Sequence, residues 1–197
     1  MKERSWEYAQ DAFRIEGEGI KSALEYIDKE AFEKAVDALA KSTRISASAC
    51  GHSGIACQHF AHLMCCIGLP ARFISPSEAN HGASGFIKKG DVVLLASRGG
   101  KTAELLPILD IARKKEAIII SVTENMESEL ALGADIAIKM HVERETDKYN
   151  SQGTTSFVVL AAIFAALQAA LIEEIGFVNE TFAIHHPGGA VGERLNK

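Results

Sequence analysis

The sequence predicts a doubly wound α/β fold, a five-stranded parallel sheet preceded by a helical extension. Three observations carry this. Short apolar runs alternate with helical segments from residue 44 onward, and runs such as Val92–Ala96 are apolar throughout, the mark of strands buried on both faces. The residues before 43 instead carry apolar side chains at helical spacing. A length of 197 residues, with 47% hydrophobic and 24% charged side chains, suits one domain of ordinary globular composition.

Taken in order, residues 3–27 place Trp6, Ala9, Phe13, Ile20, Ala23, Leu24 and Ile27 along one face, which predicts an amphipathic helix, or two broken near Gly17 and Gly19. A second helix is expected over 29–41, with Phe32, Ala35, Val36 and Leu39 on its stripe. Residues 44–50 make a weak strand and 69–74, 92–96, 117–122 and 136–140 stronger ones, separated by helices over 55–67, 102–115 and 128–132. Right-handed crossovers arrange such strands in the order 2-1-3-4-5. A helix over 154–175 follows, wholly apolar from Phe157 to Leu167. A membrane span needs about 18–20 such residues, and Gln168 interrupts this run, so it reads as a core or oligomer-interface helix. Residues 182–190 are too irregular for core. Residues 1–197 thus read as a single domain, with 1–42 helical and 43–197 forming the α/β sandwich and C-terminal tail.

A net charge of -5 argues against a nonspecific nucleic-acid binder. The N-terminus lacks the apolar stretch of a secretory signal, so a cytoplasmic protein with no membrane segment is expected. In that reducing compartment Cys50, Cys57, Cys65 and Cys66 read as small hydrophobes rather than disulfides.

Chemistry concentrates in two glycine-bearing turns at strand ends, Gly51-His52-Ser53-Gly54 and Ser97-Arg98-Gly99-Gly100-Lys101-Thr102. In an open α/β sheet, ligands bind beyond the carboxyl ends of the strands where strand order reverses. Both turns would flank that point. The hydroxyls of Ser53, Ser97 and Thr102 and the N–H groups of Gly99 and Gly100, with Lys101 beside them, can surround a phosphate. The plainer reading is two strand-to-helix turns with Ser53 and Thr102 as N-caps. A P-loop fails because Leu95 stands where its first glycine is needed, and Gly51–Gly54 lacks the third glycine of a dinucleotide fingerprint. His59, His62 and Cys65 share a helix face without a characteristic zinc spacing, so neither metal nor cofactor is expected. His81 and His186 lie in glycine-containing loops, where packing does not demand an imidazole, and can serve as general acid or base.

Together with Glu78-Ala79-Asn80-His81-Gly82, Thr154-Thr155 and His186-Pro187-Gly188-Gly189-Ala190-Val191-Gly192, these turns resemble the sugar isomerase (SIS) domain, and within it the D-arabinose 5-phosphate isomerase branch. The resemblance implies a flavodoxin-like sandwich assembled as a homodimer or homotetramer, with active sites shared between subunits, and a sugar phosphate as ligand. It implies phosphate on Ser53, Ser97, Gly99 and Thr102, and makes Glu143, His186 and His81, with His52 beside them, the chemical groups. Glu143 would move a proton between C1 and C2 while His186 opens the ring or shuttles a proton. Members of the branch carry CBS modules after the PGGA motif, and this sequence is expected to be the SIS domain alone. It departs from the branch at His52 (normally lysine), Ala83 (aspartate), Gly99 (serine) and Lys101 (glutamate). These exchanges make the pocket more positive. A noncatalytic phosphosugar sensor is the alternative implied.

Overall fold

The computed structural model describes residue 2 and residues 4–196. Two helices lead: α1 (Ser5–Tyr26) and α2 (Lys29–Lys41). α1 ends where Ile27 turns extended, and Asp28 starts α2, its side chain accepting from the Ala31 N–H at 2.8 Å as an N-cap. Gly17 and Gly19 do not break α1. Gly19 lies against α7, where a Cβ would come within 2.7 Å of Thr155 Cγ2, so glycine permits close helix contact there.

Five parallel strands follow, β1 (Ile45–Ser48), β2 (Ala71–Phe73), β3 (Val92–Ala96), β4 (Ile118–Thr123) and β5 (Ile136–Lys139), in the order β2-β1-β3-β4-β5. The central register pairs Ser48 with Leu95 and Ala96 with Val122, which brings the C-terminal ends of β1, β3 and β4 to one edge. The connecting helices are α3 (Gly51–Cys66), α4 (Pro76–Asn80), α5 (Leu106–Lys114), α6 (Glu129–Gly133) and α7 (Thr155–Glu174), and α8 (Asn179–His185) and α9 (Gly189–Leu195) close the chain.

Strand alternation divides the core in two. Val92, Leu94 and Ala96 join Ile120 and Val122 in a layer with residues of α1, α2, α3 and α7. Val93 and Leu95 point the other way, with Ile119, onto α4, α5 and α6. Both faces are covered, as near-continuous apolar strands require. Phe60 of α3 and Phe164 of α7 anchor the larger layer with rings 4.7 Å apart and no exposed surface.

Several expectations shift. β1 is the weakest strand in the sequence, yet it is wholly buried between β2 and β3. Ser46 and Ser48 obscure its apolar pattern, and Ser48 Oγ donates to the Ile74 carbonyl at 2.7 Å. α3 starts four residues before the expected Ile55, and α5 begins only at Leu106, after a turn. The irregular tail over 182–190 includes parts of α8 and α9, largely exposed. By length and apolarity the full 20-residue α7 would suffice to cross a bilayer. Here it packs on α1, α2 and α3.

Candidate functional site

β1 ends and α3 begins with almost no loop. Gly51 takes φ +56°, which turns the chain directly into the helix. His52 and Ser53 therefore sit in the first turn of α3, and Ser53 is not its N-cap; Cys50 holds that place. The first N–H groups of a helix have no intrahelical acceptor, so this 16-residue helix presents donors and its positive dipole end at the strand edge.

The β3 exit is organised from within. Ser97, 7% exposed, shares a hydrogen bond with Thr102 across 2.8 Å between hydroxyls. Gly100 closes the turn at φ +66°, its N–H donating to the Ser97 carbonyl (3.0 Å) and hydroxyl (3.2 Å). A Cβ on Gly100 would fall 1.9 Å from Ser128 Oγ. The Gly100 N–H is thus engaged within the turn, which the residue shapes. Gly99 is exposed and faces, with Arg98, Lys101, Glu124 and Asn125, an open cavity of about 470 Å³. Thr102 is no N-cap either, being bonded to Ser97 ahead of α5.

The two turns leave paired strands at one sheet edge. Burial, and then the charge of Glu104, push the Cys50 thiol above its ordinary value. Asn80 Nδ2 donates to the Glu104 carbonyl at 3.2 Å, bringing the loop that carries His81 alongside; His81 itself is exposed. His52 packs on Gly153, where a Cβ would meet Nδ1 at 3.0 Å, so the entry to α7 borders the same edge.

Arg98, Glu124 and Glu145, none of them singled out by the sequence, tie this edge together. The guanidinium donates from Nε to Glu124 (2.7 Å), from Nη1 to Glu145 (2.7 Å) and from Nη2 to the Val142 carbonyl (2.9 Å). Glu145 is buried, and its second oxygen accepts from the Ser156 N–H (3.1 Å) and Thr154 Oγ1 (3.3 Å) at the start of α7. Glu124 also meets His141 Nδ1 and the Val142 N–H, each at 3.0 Å. Burial pushes the Glu124 carboxyl up, but Arg98, Val142 and His141 outweigh it and hold the group below the usual carboxylate range.

Glu143 lies between two members of this network, Val142 and Glu145, but its own side chain is not part of it. It is exposed and lines a cleft of about 200 Å³ with Arg14, Glu18, Ser22, Arg144 and Thr155. His186 is more distant. It packs on the Phe182 ring and lines a cavity with His62, Cys66, Gln168 and Ile172. His62 and Cys66 are nine and thirteen residues beyond Ser53 on α3, roughly 14–20 Å along the helix at 1.5 Å per residue. Within one chain, then, His52, Ser53, Ser97, Gly99, Gly100, Lys101 and Thr102 share an edge with His81 beside it, while Glu143 flanks that edge and His186 sits at the other end of α3.

A family model for the SIS domain matches residues 38–173. The chain belongs to the SIS domain family. Among its SIS-domain relatives, arabinose 5-phosphate isomerase KdsD of Pseudomonas aeruginosa is 37% identical over 188 residues, which cover 95% of this chain and 57% of that protein. KdsD of Francisella tularensis is 32% identical over 191 residues, 95% of this chain and 58% of the relative. The chain therefore spans a little over half the length of the curated relatives it matches. A Listeria monocytogenes structure, described as a candidate sugar-phosphate isomerase, superposes with a TM-score of 0.93 at 34% identity, covering 95% of this chain and 99% of that one. An Escherichia coli CFT073 protein in complex with a sugar phosphate superposes at 0.87 with 26% identity, covering 95% of this chain and all of that one (100%).

Proposed function

We propose that this SIS domain is a phosphosugar isomerase that interconverts an aldose phosphate and a ketose phosphate through an enediol, as the names of its arabinose 5-phosphate isomerase relatives suggest. One observation carries the reading: the paired hydroxyls of Ser97 and Thr102 stand at the same sheet edge as the N-terminus of α3. Together with Ser53, the Gly99 N–H and Lys101, they make a metal-free cradle for a phosphate dianion.

With the phosphate fixed, the reaction needs a base to take the proton from C2 of the open aldose and return it to C1 of the enediol. Glu143 fills that role at the flank of the cradle. His186 opens the ring, and since α3 separates it from Ser53 within one chain, a second copy supplies it. A cytoplasmic homodimer or homotetramer belongs to this reading, with the helical segment 1–42 and the sandwich acting as one unit because α1 and α2 pack on α7. His81 and His52 border the sugar end.

A noncatalytic phosphosugar sensor is favoured by one specific observation. Glu145, the buried carboxylate at this edge, is held by Arg98 and so is not free to serve as a base. Incubation with a panel of pentose and hexose phosphates separates the two. Isomerisation that disappears in Glu143→Gln and His186→Ala supports the enzyme, whereas saturable binding with no turnover on any sugar supports the sensor.

A further inference from the structure

Within the turn that cradles phosphate, Arg98 is the residue whose side chain leaves it. Its backbone is pinned, the carbonyl accepting from Thr123 Oγ1 at 3.0 Å and from the Glu124 N–H at 2.9 Å. Its guanidinium then crosses to the segment after β5 and holds it at two points, the Val142 carbonyl and Glu145. An exposed pair of this kind would contribute little, but the Glu145 side chain is only 3% exposed and its other oxygen is occupied by the start of α7. The segment between these two anchors contains Glu143.

We propose that Arg98 is a positioning residue that couples the phosphate turn to residues 142–146, so that a phosphoryl group seated on Ser97, Gly99 and Thr102 sets the placement of Glu143. This rests on the phosphosugar reading above. The guanidinium suits the task because three of its donors diverge in one plane toward three acceptors. An ammonium keeps the charge but cannot match that fork. The coupling is reciprocal: whatever orders 142–146 tightens the phosphate turn by the same factor.

The test compares wild type, Arg98→Met and Arg98→Lys by hydrogen–deuterium exchange with and without inorganic phosphate, and by turnover of whichever phosphosugar wild type isomerises. In wild type, phosphate slows exchange in both 97–104 and 142–154. In Arg98→Met it slows 97–104 alone, and kcat falls on the order of 100-fold, the cost of a misplaced catalytic group, while KM stays close to wild type. Arg98→Lys matches Met in kcat. Should Arg98→Met melt too early to assay, Arg98→Met with Glu145→Gln removes both charges of the pair and carries the same expectation. Protection of 142–154 that persists in Arg98→Met, or full restoration of kcat by lysine, overturns the proposal. A wild type that shows both protections without turnover defeats the isomerase reading and leaves the coupling standing. Protection of 97–104 without 142–154 in wild type defeats the coupling alone, and no protection of 97–104 overturns both.

Discussion

Ser97 does two things at once: its hydroxyl closes the turn by accepting from Gly100, and it pairs with Thr102 where a phosphate oxygen would sit. Ser97→Ala should therefore weaken phosphosugar affinity by about 1.5–3 kcal/mol, the range for a hydrogen bond to a charged group, measured by titration calorimetry. Unchanged affinity would move the phosphate elsewhere. Gly100 is tested by stability instead. Gly100→Ala forces a side chain into φ +66° and against Ser128, costing at least about 1–3 kcal/mol from backbone strain alone, and Ser128→Gly in the same chain should recover part of the lost melting temperature. Glu124 sets a pH dependence. Its folded carboxyl titrates below its ordinary value of 4.5, so its contribution to stability is complete above about pH 4.5 and is lost as pH falls through the lower folded value. Melting temperature measured down that window should fall less steeply in Glu124→Gln; an identical slope would show that the Arg98 and His141 contacts do not stabilise the fold. At this scale the sequence placed Ser97 and Thr102 in one glycine-bearing turn, where their hydroxyls are paired. It could not separate Glu143 from Glu145, two like carboxylates around Arg144, because only the chain path decides which one meets Arg98.

At the scale of elements, legibility followed pattern length. β3 stood out as an unbroken apolar run and β4 as one interrupted only by Ser121, with α1, α2 and α7 as long periodic or apolar stretches. α4, α8 and α9 span five to seven residues, too few for a 3.6-residue period to show; the equally short α6 was legible because it lies between two strong strands. The start of α3 was hidden for a different reason: Gly51, His52 and Ser53 have the composition of a loop, and only the positive φ of Gly51 makes them a helical turn. The α3–α7 contact is the element pair on which the larger core layer depends. Phe60→Ala should cost about 3–5 kcal/mol, as deletion of a buried ring does, read as a shift of the denaturant midpoint. A loss under about 1 kcal/mol would mean that the layer collapses around the cavity.

On the scale of the whole molecule, one chain holds the candidate phosphate cradle at the C-terminal edge of its sheet and His186 at the far end of α3. The His-Pro-Gly-Gly motif was visible in the sequence, but its distance from Ser53 was not, since nothing local encodes how a helix separates two loops. If copies share sites, Ser97→Ala and His186→Ala proteins, each deficient alone, should regain part of the turnover when unfolded together and refolded as mixed assemblies. Failure to regain any would place both groups in one subunit's service. The proposed chemistry itself is tested most directly by following D-arabinose 5-phosphate and other pentose and hexose phosphates with this protein in D2O by proton NMR. An enediol route predicts appearance of the ketose phosphate together with loss of the aldose C2 proton signal to solvent deuterium. Intact substrate signals across the panel, with neither product nor exchange, would contradict it.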